Sequence, residues 1–421
     1  MTTPKIIFLE FNELSPILLR DFMADGLLPS FSSLYNDSKI FTTDASHDLP
    51  KLNPWVQWVS VHSGMSYEAH QISTLGEGDN LQSACVAKVL SDADIPVGVF
   101  GSMNTNYRGL TGYMVPDPWR KAAHTEPSDL ATYYDFVSNQ VKDYSKNESS
   151  SLLDAVNFLW FLISHGLRPS TVVKIAKQLI SEFRHSGLSW RRAALLDHIQ
   201  YDLFRYLNNS YQVGFATFFS NSVAHFQHYY WRHMAPDQFD APVLEDEHPS
   251  LANAIIYGYQ NQDALLGRIM ADYPGSTLIL CTALSQEPWN TDKVTYRPKD
   301  FGSLLQFVGI DPDAVTVDPV MAEEFSVVFA SDSEAVAAKE HFDDLHVNGA
   351  GLFKIEQKDN ELFMGCAVIR SAEESLTIVR PSDGTTIKFS ELFYQLHTTR
   401  SGKHNADGVL WIRKGQHEVV A

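Results

Sequence analysis

The chain has 421 residues, of which 44% are hydrophobic and 20% charged, so it can bury a substantial core as a globular protein. Its formal net charge is −19 at pH 7, and no cluster of Lys and Arg stands out against that charge. A polyanion would be repelled at long range, which argues against nucleic acid as a partner. A small phosphorylated substrate remains compatible, because its binding depends on local groups and any bound cation.

The cysteines and the N-terminus indicate a cytoplasmic protein. Cys85, Cys281 and Cys366 are widely separated without a Cys-x-x-Cys spacing, and we interpret them as reduced core thiols. The chain passes directly into an apolar run at residues 6–9, without the pattern of a cleavable signal. The most apolar helical stretch, residues 156–163, is much shorter than the roughly 20 residues that span a bilayer. We interpret it as core packing or a cap helix, with contact to a membrane surface as the less favoured alternative, and we expect no stable membrane insertion.

Short apolar runs alternate with helical patterns along most of the chain. This alternation is typical of an α/β fold, in which a mainly parallel sheet is sandwiched by helices. Ligands bind in such sheets at the carboxyl ends of the strands, so we expect the functional residues in the polar loops that follow them. In chain order, the predicted elements are strand 6–9, helix 17–28, helix 81–90, strand 95–100, helix 193–207, strand 214–219, helix 257–271 and strand 276–281.

Two stretches interrupt the alternation and are interpreted as insertions. Residues 127–187 contain a polar segment followed by two helical patterns, which predicts an inserted helical cap. Residues 298–390 contain a strand, a helix and two further strands with a turn at Asp359-Asn360, which predicts a small β-α-β-β insertion. The remaining segments, 1–126, 188–297 and 391–421, then form the α/β core.

Five separated segments resemble the type I phosphodiesterase/nucleotide pyrophosphatase branch of the alkaline phosphatase superfamily in their order and approximate spacing. The resemblance implies an alkaline-phosphatase-like fold and a small phosphorylated substrate. It also implies two zinc-type ions, which activate a Thr or Ser hydroxyl for attack on phosphorus. The segments are 6–12 (IIFLEFN) with 26–31 (GLLPSF), 50–64 with 70–72, 218–231, 259–281 and 402–410 (GKHNADGVL).

Several positions depart from the pattern that the resemblance implies. Glu10 stands where the first metal-binding Asp is expected, and it could still bind a cation. Asn53 falls on or next to the nucleophile position, and an amide cannot form an alkoxide. Residues 282–285 (TALS) replace a Ser-Asp-His-Gly motif, so two strong ligands are lost. A standard site with two metal ions is therefore not expected.

The substitutions described above fall mainly on one of the two metal sites that the resemblance implies. The second site keeps more of its ligands. His225 and His404 match the two histidines of the pattern, while Asn221 replaces an Asp. His228 could supply a weaker ligand or act as a general acid or base. We expect either one zinc or manganese ion or no metal. An alternative is that His225 and His228 are structural residues among aromatic neighbours.

The remaining candidates are polar or charged residues near the same segments. Glu10, Asn53 and His228 are the predicted catalytic groups. The alternative is that Glu10 and Asn53 serve as helix-cap or turn residues. We expect a further set to bind the substrate, with turn formation or surface solvation as the alternative: Asn12, Lys51, Gln286 and Arg400.

The sequence leaves two main functions open. The first is a phosphodiesterase-like hydrolase or group transferase that acts on an anionic ester with a reduced metal requirement. The second is a catalytically inactive relative that binds a ligand or a protein partner. A weaker third idea is a different reaction on a glycan or a nucleotide-linked precursor, stacked against the aromatic loops around Trp231 and Trp289. The oligomeric state and the substrate stay open.

Overall fold

The computed structural model describes residues 4–45, 51–119, 124–143, 152–240, 242–243, 247–291, 294–319, 324–370, 372–395 and 400–415. The strands are β1 Ile6–Phe11, β2 Lys39–Asp44, β3 Val97–Phe100, β4 Tyr113–Val115, β5 Phe215–Ser220, β6 Thr277–Cys281, β7 Ser285–Pro288, β8 Tyr296–Pro298, β9 Thr316–Pro319, β10 Phe325–Val328, β11 His346–Val347, β12 Ala350–Gly351, β13 Phe353–Lys358, β14 Glu361–Cys366, β15 Thr377–Arg380, β16 Thr385–Lys388, β17 Phe393–Gln395, β18 Gly402–Asn405 and β19 Asp407–Arg413. The α-helices are α1 Pro16–Ala24, α2 Pro29–Asn36, α3 Pro54–Ser63, α4 Tyr67–His70, α5 Val86–Asp92, α6 Ala131–Asp143, α7 Leu152–Ser164, α8 Pro169–Arg184, α9 Arg192–Tyr211, α10 Ser222–Met234, α11 Ala254–Asp272, α12 Phe301–Val308, α13 Asp332–Asp343 and α14 Phe389–Leu392.

The chain folds into two compact units, each with a hydrophobic core of its own. The first unit comprises Met1–Val141, Glu148–Asn290 and Ser401–Ala421. The second comprises Lys142–Asn147 and Thr291–Arg400, so the predicted insertion 298–390 lies within it.

A seven-stranded sheet in the order β2-β19-β6-β1-β5-β3-β4 forms the centre of the first unit. β1 is parallel to both of its neighbours, β5 and β6, whereas β19 is antiparallel to the strands on either side of it. Successive residues of β1 point to opposite faces, because Ile7 and Leu9 lie in one core cluster and Phe8 lies in another. The predicted α/β fold with a mainly parallel sheet between layers of helices is confirmed.

Two of the predicted helices are each divided into two helices in the structure. The pattern over 17–28 predicts one helix, but α1 ends at Ala24 and α2 starts at Pro29. The break contains Gly26 at φ +72°, a conformation that glycine adopts without a steric penalty. The pattern over 81–90 is divided between a 3₁₀ helix and α5, because Cys85 takes an extended conformation at the start of α5.

The second unit contains two four-stranded sheets, in the orders β13-β14-β10-β9 and β12-β11-β15-β16. The chain order β10, α13, β13, β14 agrees with the predicted strand-helix-strand-strand pattern. Asp359, in the turn between β13 and β14, has a positive φ of 49°, as the predicted turn at Asp359-Asn360 allows. The structure adds β9, β11, β12, β15 and β16, which are short or lie outside the segments that the pattern identifies.

The apolar stretch 156–163 forms most of α7, and its interpretation as core packing is correct for one side only. Phe158, Phe161 and Leu162 are buried in the core of the first unit. Leu159 and Trp160 are exposed, because consecutive helical residues point in different directions. In the described part of the chain, no helix combines the length and the apolar character needed to cross a bilayer.

Asp197 on α9 is a buried carboxyl group that provides a pH-dependent prediction. Burial raises the pKa of Asp197 from 3.8 to about 7, although a hydrogen bond from Ser222 opposes this shift. The folded chain therefore holds a proton that the unfolded chain releases, and the wild type loses stability as pH rises from about 4 to about 7. We expect Asp197→Asn, which cannot ionise, to gain stability relative to the wild type as pH rises through this window, by up to about 4 kcal/mol at its upper end.

Urea unfolding of both proteins between pH 4 and pH 8 measures this difference. Asp21→Asn is a matched control, because Asp21 is exposed and pairs only with the adjacent Arg20 in the described contacts. A difference between Asp197→Asn and the wild type that stays constant with pH would contradict the prediction.

Candidate metal centre

The loop after β1 turns a carboxylate into the interior of the first unit. Glu13 has a left-handed backbone with φ +61°, and only 2% of its surface is exposed. Gln227 Nε2 donates a hydrogen bond of 2.6 Å to the Glu13 carbonyl oxygen. The Asn12 backbone N–H donates to Ser220 O at 3.0 Å. Contacts with β5 and α10 therefore fix the direction of the Glu13 side chain.

Two histidines from distant parts of the chain meet this carboxylate. Glu13 Oε2 lies 3.2 Å from His228 Nε2 and 3.5 Å from His404 Nε2. The three possible ligand atoms all lie within 4.8 Å of one another. We call Glu13, His228 and His404 the Glu-His-His cluster. Within the described residues, it is the one group of three or more His, Cys, Asp or Glu side chains with this spacing.

The orientation of His404 shows why the cluster needs a positive centre. β18 pairs with β7 so that His404 lies opposite Gln286. His404 Nδ1 is 2.9 Å from the Leu52 carbonyl oxygen, which can only accept, so Nδ1 carries a hydrogen. When the ring is neutral, Nε2 directs a lone pair toward Glu13 Oε2. A proton or a cation between these two electron-rich atoms is required to make the contact favourable.

Neighbouring side chains hold the other members of the cluster. Gln286 Nε2 donates a short hydrogen bond to Glu13 Oε2 and another of 3.0 Å to Ala224 O, while Asn12 Nδ2 donates to Glu13 Oε1 at 2.8 Å. The Ser401 N–H donates to the carbonyl oxygen of His228 at 2.7 Å, which joins α10 to the segment before β18. The buried Nδ1 of His228 has no hydrogen-bond partner among the described residues.

The cluster keeps the Glu13 carboxylate ionised. Burial by itself would raise the pKa of Glu13, but His404 and His228 outweigh that effect. Together with hydrogen bonds from His228 and Gln286, they lower the pKa from 4.5 to about 2. Glu13 therefore offers a charged oxygen ligand throughout the physiological pH range.

The Glu-His-His cluster fits one divalent cation. Zinc binds imidazole nitrogen and carboxylate oxygen at about 2.0–2.2 Å, so the ligand atoms of a tetrahedral site are roughly 3.3–3.6 Å apart. The oxygen-to-nitrogen distances in the cluster, 3.2 Å and 3.5 Å, are close to that spacing. Two imidazoles and one carboxylate also suit zinc, and three protein ligands leave a coordination position open.

Two of the predicted catalytic residues lie outside the Glu-His-His cluster. Glu10 is fully buried in β1, where its Oε1 is 3.0 Å from His62 Nε2. Asn53 is the N-cap of α3 and accepts a hydrogen bond of 3.3 Å from the Trp55 N–H. Catalytic roles for Glu10 and Asn53 stay predictions. His228, the third predicted catalytic residue, lies in the cluster.

Of the three predicted metal ligands, His404 lies in the cluster. Asn221 instead accepts a hydrogen bond of 2.8 Å from Asn12 Nδ2. The His225 ring lies 5.1 Å from the Tyr229 ring, and burial followed by the charge of His228 lowers its pKa to about 4. His225 and His228 are three residues apart on α10, and it is His228 that reaches Glu13. Metal roles for Asn221 and His225 stay predictions.

The predicted substrate-binding residues have separate environments. Gln286 contacts the cluster through Glu13, as does Asn12, whose Oδ1 also accepts a hydrogen bond of 2.8 Å from Trp58 Nε1. Lys51 Nζ lies 3.9 Å from Glu68 Oε1, and Arg400 is the last residue of the second unit. No contact in the described chain tests substrate binding by these residues.

A cavity of about 370 Å³ lies in the first unit beside α3, and its lining includes Ser60, Tyr67 and Cys281. His70 Nε2 is 3.0 Å from Ser60 Oγ, a pairing that could suggest an activated nucleophile. However, His70 Nδ1 accepts from the Ile72 N–H, so in the neutral ring the hydrogen is on Nε2. Ser60 therefore accepts a hydrogen bond from His70 and has no base there to remove its proton.

Glu13 is the cluster member that the sequence analysis missed. A signal was present, because Asn12 and Glu13 are polar and directly follow the apolar run of β1. The rule that ligands bind beyond the carboxyl ends of strands favours such loop residues over Glu10, which is still within the strand.

No family model matches the chain, and no curated protein matches it significantly. Several solved structures align with almost the whole chain. Phosphonoacetate hydrolase from Sinorhizobium meliloti 1021, in complex with phosphonoacetate, is 11% identical with a TM-score of 0.39. That alignment covers 100% of this chain and 92% of the other chain. Murine ectonucleotide pyrophosphatase/phosphodiesterase 5 is 8% identical with a TM-score of 0.37, with 97% and 88% coverage.

Identities and TM-scores this low do not indicate a function. The functional proposal therefore depends on the geometry of the Glu-His-His cluster.

Proposed function

We propose that the protein is a hydrolase of small phosphorylated esters that uses one divalent cation, zinc or manganese. Glu13, His228 and His404 would hold the cation. The observation that carries this proposal is the convergence of two imidazole Nε2 atoms on one buried carboxylate oxygen, at 3.2 Å and 3.5 Å. A bound cation would act as a Lewis acid toward a phosphoryl oxygen.

The position of the cluster supports a role in binding an anion. Glu13 follows β1, His228 lies on the helix after β5, and β1 and β5 are adjacent parallel strands. Their carboxyl ends therefore meet at the edge of the sheet where ligands of α/β proteins bind. A cation held there would attract an anionic substrate to a protein whose net charge is −19.

Water is the nucleophile in this proposal. Asn53 falls on or next to the position that the sequence resemblance assigns to a Thr or Ser, and its amide oxygen caps α3. An amide does not form a phosphoryl-enzyme, so in this proposal water attacks phosphorus directly, the phosphorus–oxygen bond to the ester group breaks, and the alcohol leaves with a proton from the water. Gln286 and Asn12 contribute by fixing the two oxygens of Glu13.

The environment of Asn53 also favours a second candidate, a non-catalytic protein that binds an anionic ligand at the same cation. A helix cap stabilises the fold whether or not turnover takes place. The two candidates share the metal site and differ only in whether a bound phosphoester is cleaved.

Metal analysis and turnover together test the proposal. We expect protein purified without chelators to contain about one zinc or manganese ion per chain, a ratio that follows from the single cluster. It should hydrolyse members of a panel of phosphomonoesters, phosphodiesters and phosphonates, lose activity in a chelator and regain it with the added ion. His404→Ala should remove both the metal and the activity.

His225→Ala is the matched control, because His225 is a histidine on the same helix as His228 but outside the cluster. It should keep the metal. Stoichiometric metal without turnover of any panel member would support the non-catalytic candidate. Protein that neither contains nor binds zinc or manganese would exclude both.

A further inference from the structure

α7 presents an apolar stripe to solvent. Val156, Leu159, Trp160 and Ile163 have exposed fractions between 44% and 67%, and Trp160 is the most exposed of the four. Their spacing of three, four and seven residues places them on one side of the helix. The opposite side of α7 packs into the core, so the stripe is not a consequence of a loosely attached helix.

α8, which follows after a short connection, has a second stripe of the same kind. Val172, Val173, Leu179, Ile180 and Phe183 are all exposed, and 95% of Phe183 is accessible. These positions again follow the three-to-four-residue repeat of one helical face. We call these two stripes together the α7–α8 surface.

Together, the two stripes of the α7–α8 surface expose more apolar area than the largest apolar patch of an ordinary monomer. A large side chain has roughly 150–250 Å² of surface, so nine side chains that are about half exposed contribute on the order of 900 Å². The largest apolar patch on a typical monomer is about 300–600 Å², and larger patches mark interaction sites.

Basic side chains accompany this apolar surface, although the whole chain is strongly acidic. Residues 152–192 carry six basic and two acidic side chains, a net charge of +4 in a chain whose total is −19. Lys177 and Arg184 are exposed on α8, four residues after Val173 and Ile180, so they border the stripe on one side. The other four basic residues are Arg168, Lys174, Arg191 and Arg192.

We propose that the α7–α8 surface binds peripherally to an anionic lipid surface. Exposed Trp and Phe together with flanking Lys and Arg are the features of a helix that lies in the plane of a membrane interface. Anionic headgroups complement the positive charge of this segment. A second copy is the less favourable occupant, because symmetric pairing would place two positive surfaces against each other.

Co-sedimentation of the full chain with vesicles tests this proposal. We expect binding to vesicles of phosphatidylcholine with 30% phosphatidylglycerol, weaker binding to pure phosphatidylcholine, and partial release by 0.5 M NaCl. The double variant Trp160→Ser/Phe183→Ser should lower binding at least tenfold. Lys177→Glu/Arg184→Glu should lose the preference for phosphatidylglycerol.

Ile17→Ser is the matched control, because Ile17 is 59% exposed on α1 and lies outside the α7–α8 surface. It should bind as the wild type does. All the replaced side chains are exposed, and circular dichroism verifies that the variants remain folded. Absence of binding to both vesicle types would overturn the proposal. So would a stable dimer in sedimentation velocity that dissociates in Trp160→Ser/Phe183→Ser, because the surface would then be a self-association interface.

Discussion

Glu13→Gln is expected to lower the affinity for zinc or manganese by more than about 100-fold, since loss of an outer-shell partner alone costs about 10–100-fold. The substitution preserves the size of the side chain but removes the charge between His228 and His404. Without that charge, the two imidazoles lack the anionic ligand that their contacts at 3.2 Å and 3.5 Å provide. Isothermal titration calorimetry of chelator-treated protein measures the affinity, and thermal unfolding with and without the metal measures the coupled stabilisation.

Glu10→Gln is the matched control for this prediction. Glu10 is an equally buried glutamate three residues away, and its Oε1 pairs with His62. We expect Glu10→Gln to retain metal binding, even if its stability changes. The reverse result, in which Glu10→Gln loses the metal and Glu13→Gln keeps it, would show that the metal binds on the side of Glu10 and would refute the assignment to the Glu-His-His cluster.

Gly402→Ala is expected to disturb the Glu-His-His cluster by forcing a neighbouring element to shift. A Cβ atom at Gly402 would lie 2.5 Å from the Gln227 carbonyl oxygen, 2.5 Å from Gln286 Oε1 and 2.7 Å from Trp231 Cδ1. The Gln227 carbonyl belongs to the backbone of α10, so relief requires β18 or α10 to shift. We expect a loss of about 1–3 kcal/mol in stability, the usual cost of overpacking, together with weaker metal binding.

The reason for the weaker metal binding is that both elements carry a ligand. His404 lies two residues after Gly402 on β18, and His228 lies on α10. Gly275→Ala is the control, because no atom lies within 4 Å of its Cβ position, and its stability should change by less than about 0.5 kcal/mol. Urea unfolding measures both variants. Wild-type stability and metal affinity in Gly402→Ala would show that β18 is not held as tightly as these contacts indicate.

The sequence by itself determined the fold class and most of the strands of the core. Apolar runs such as Ile6–Phe11 and Thr277–Cys281 are buried on both faces of a parallel sheet, so their signal is continuous and local. His404 was also identified from the sequence, because segment 402–410 resembles a family segment whose histidine binds metal.

Tertiary structure alone decided which polar residues meet. Glu10 and Glu13 differ by three positions, and the strand end at Phe11 places Glu10 against His62 and Glu13 against two distant histidines. The choice of His228 over His225 depends on the direction in which α10 leaves β5. The exposure of Trp160 depends on which side of α7 the core covers.

The physical reason is that hydrophobic periodicity is encoded over a few consecutive residues, whereas a ligand set is defined by distances of about 3 Å between side chains hundreds of positions apart. The spacing of residues along the sequence does not specify such distances between side chains. They follow from the strand order β6-β1-β5 and from the pairing of β18 with β7, which bring Glu13, His228 and His404 together only in the folded chain.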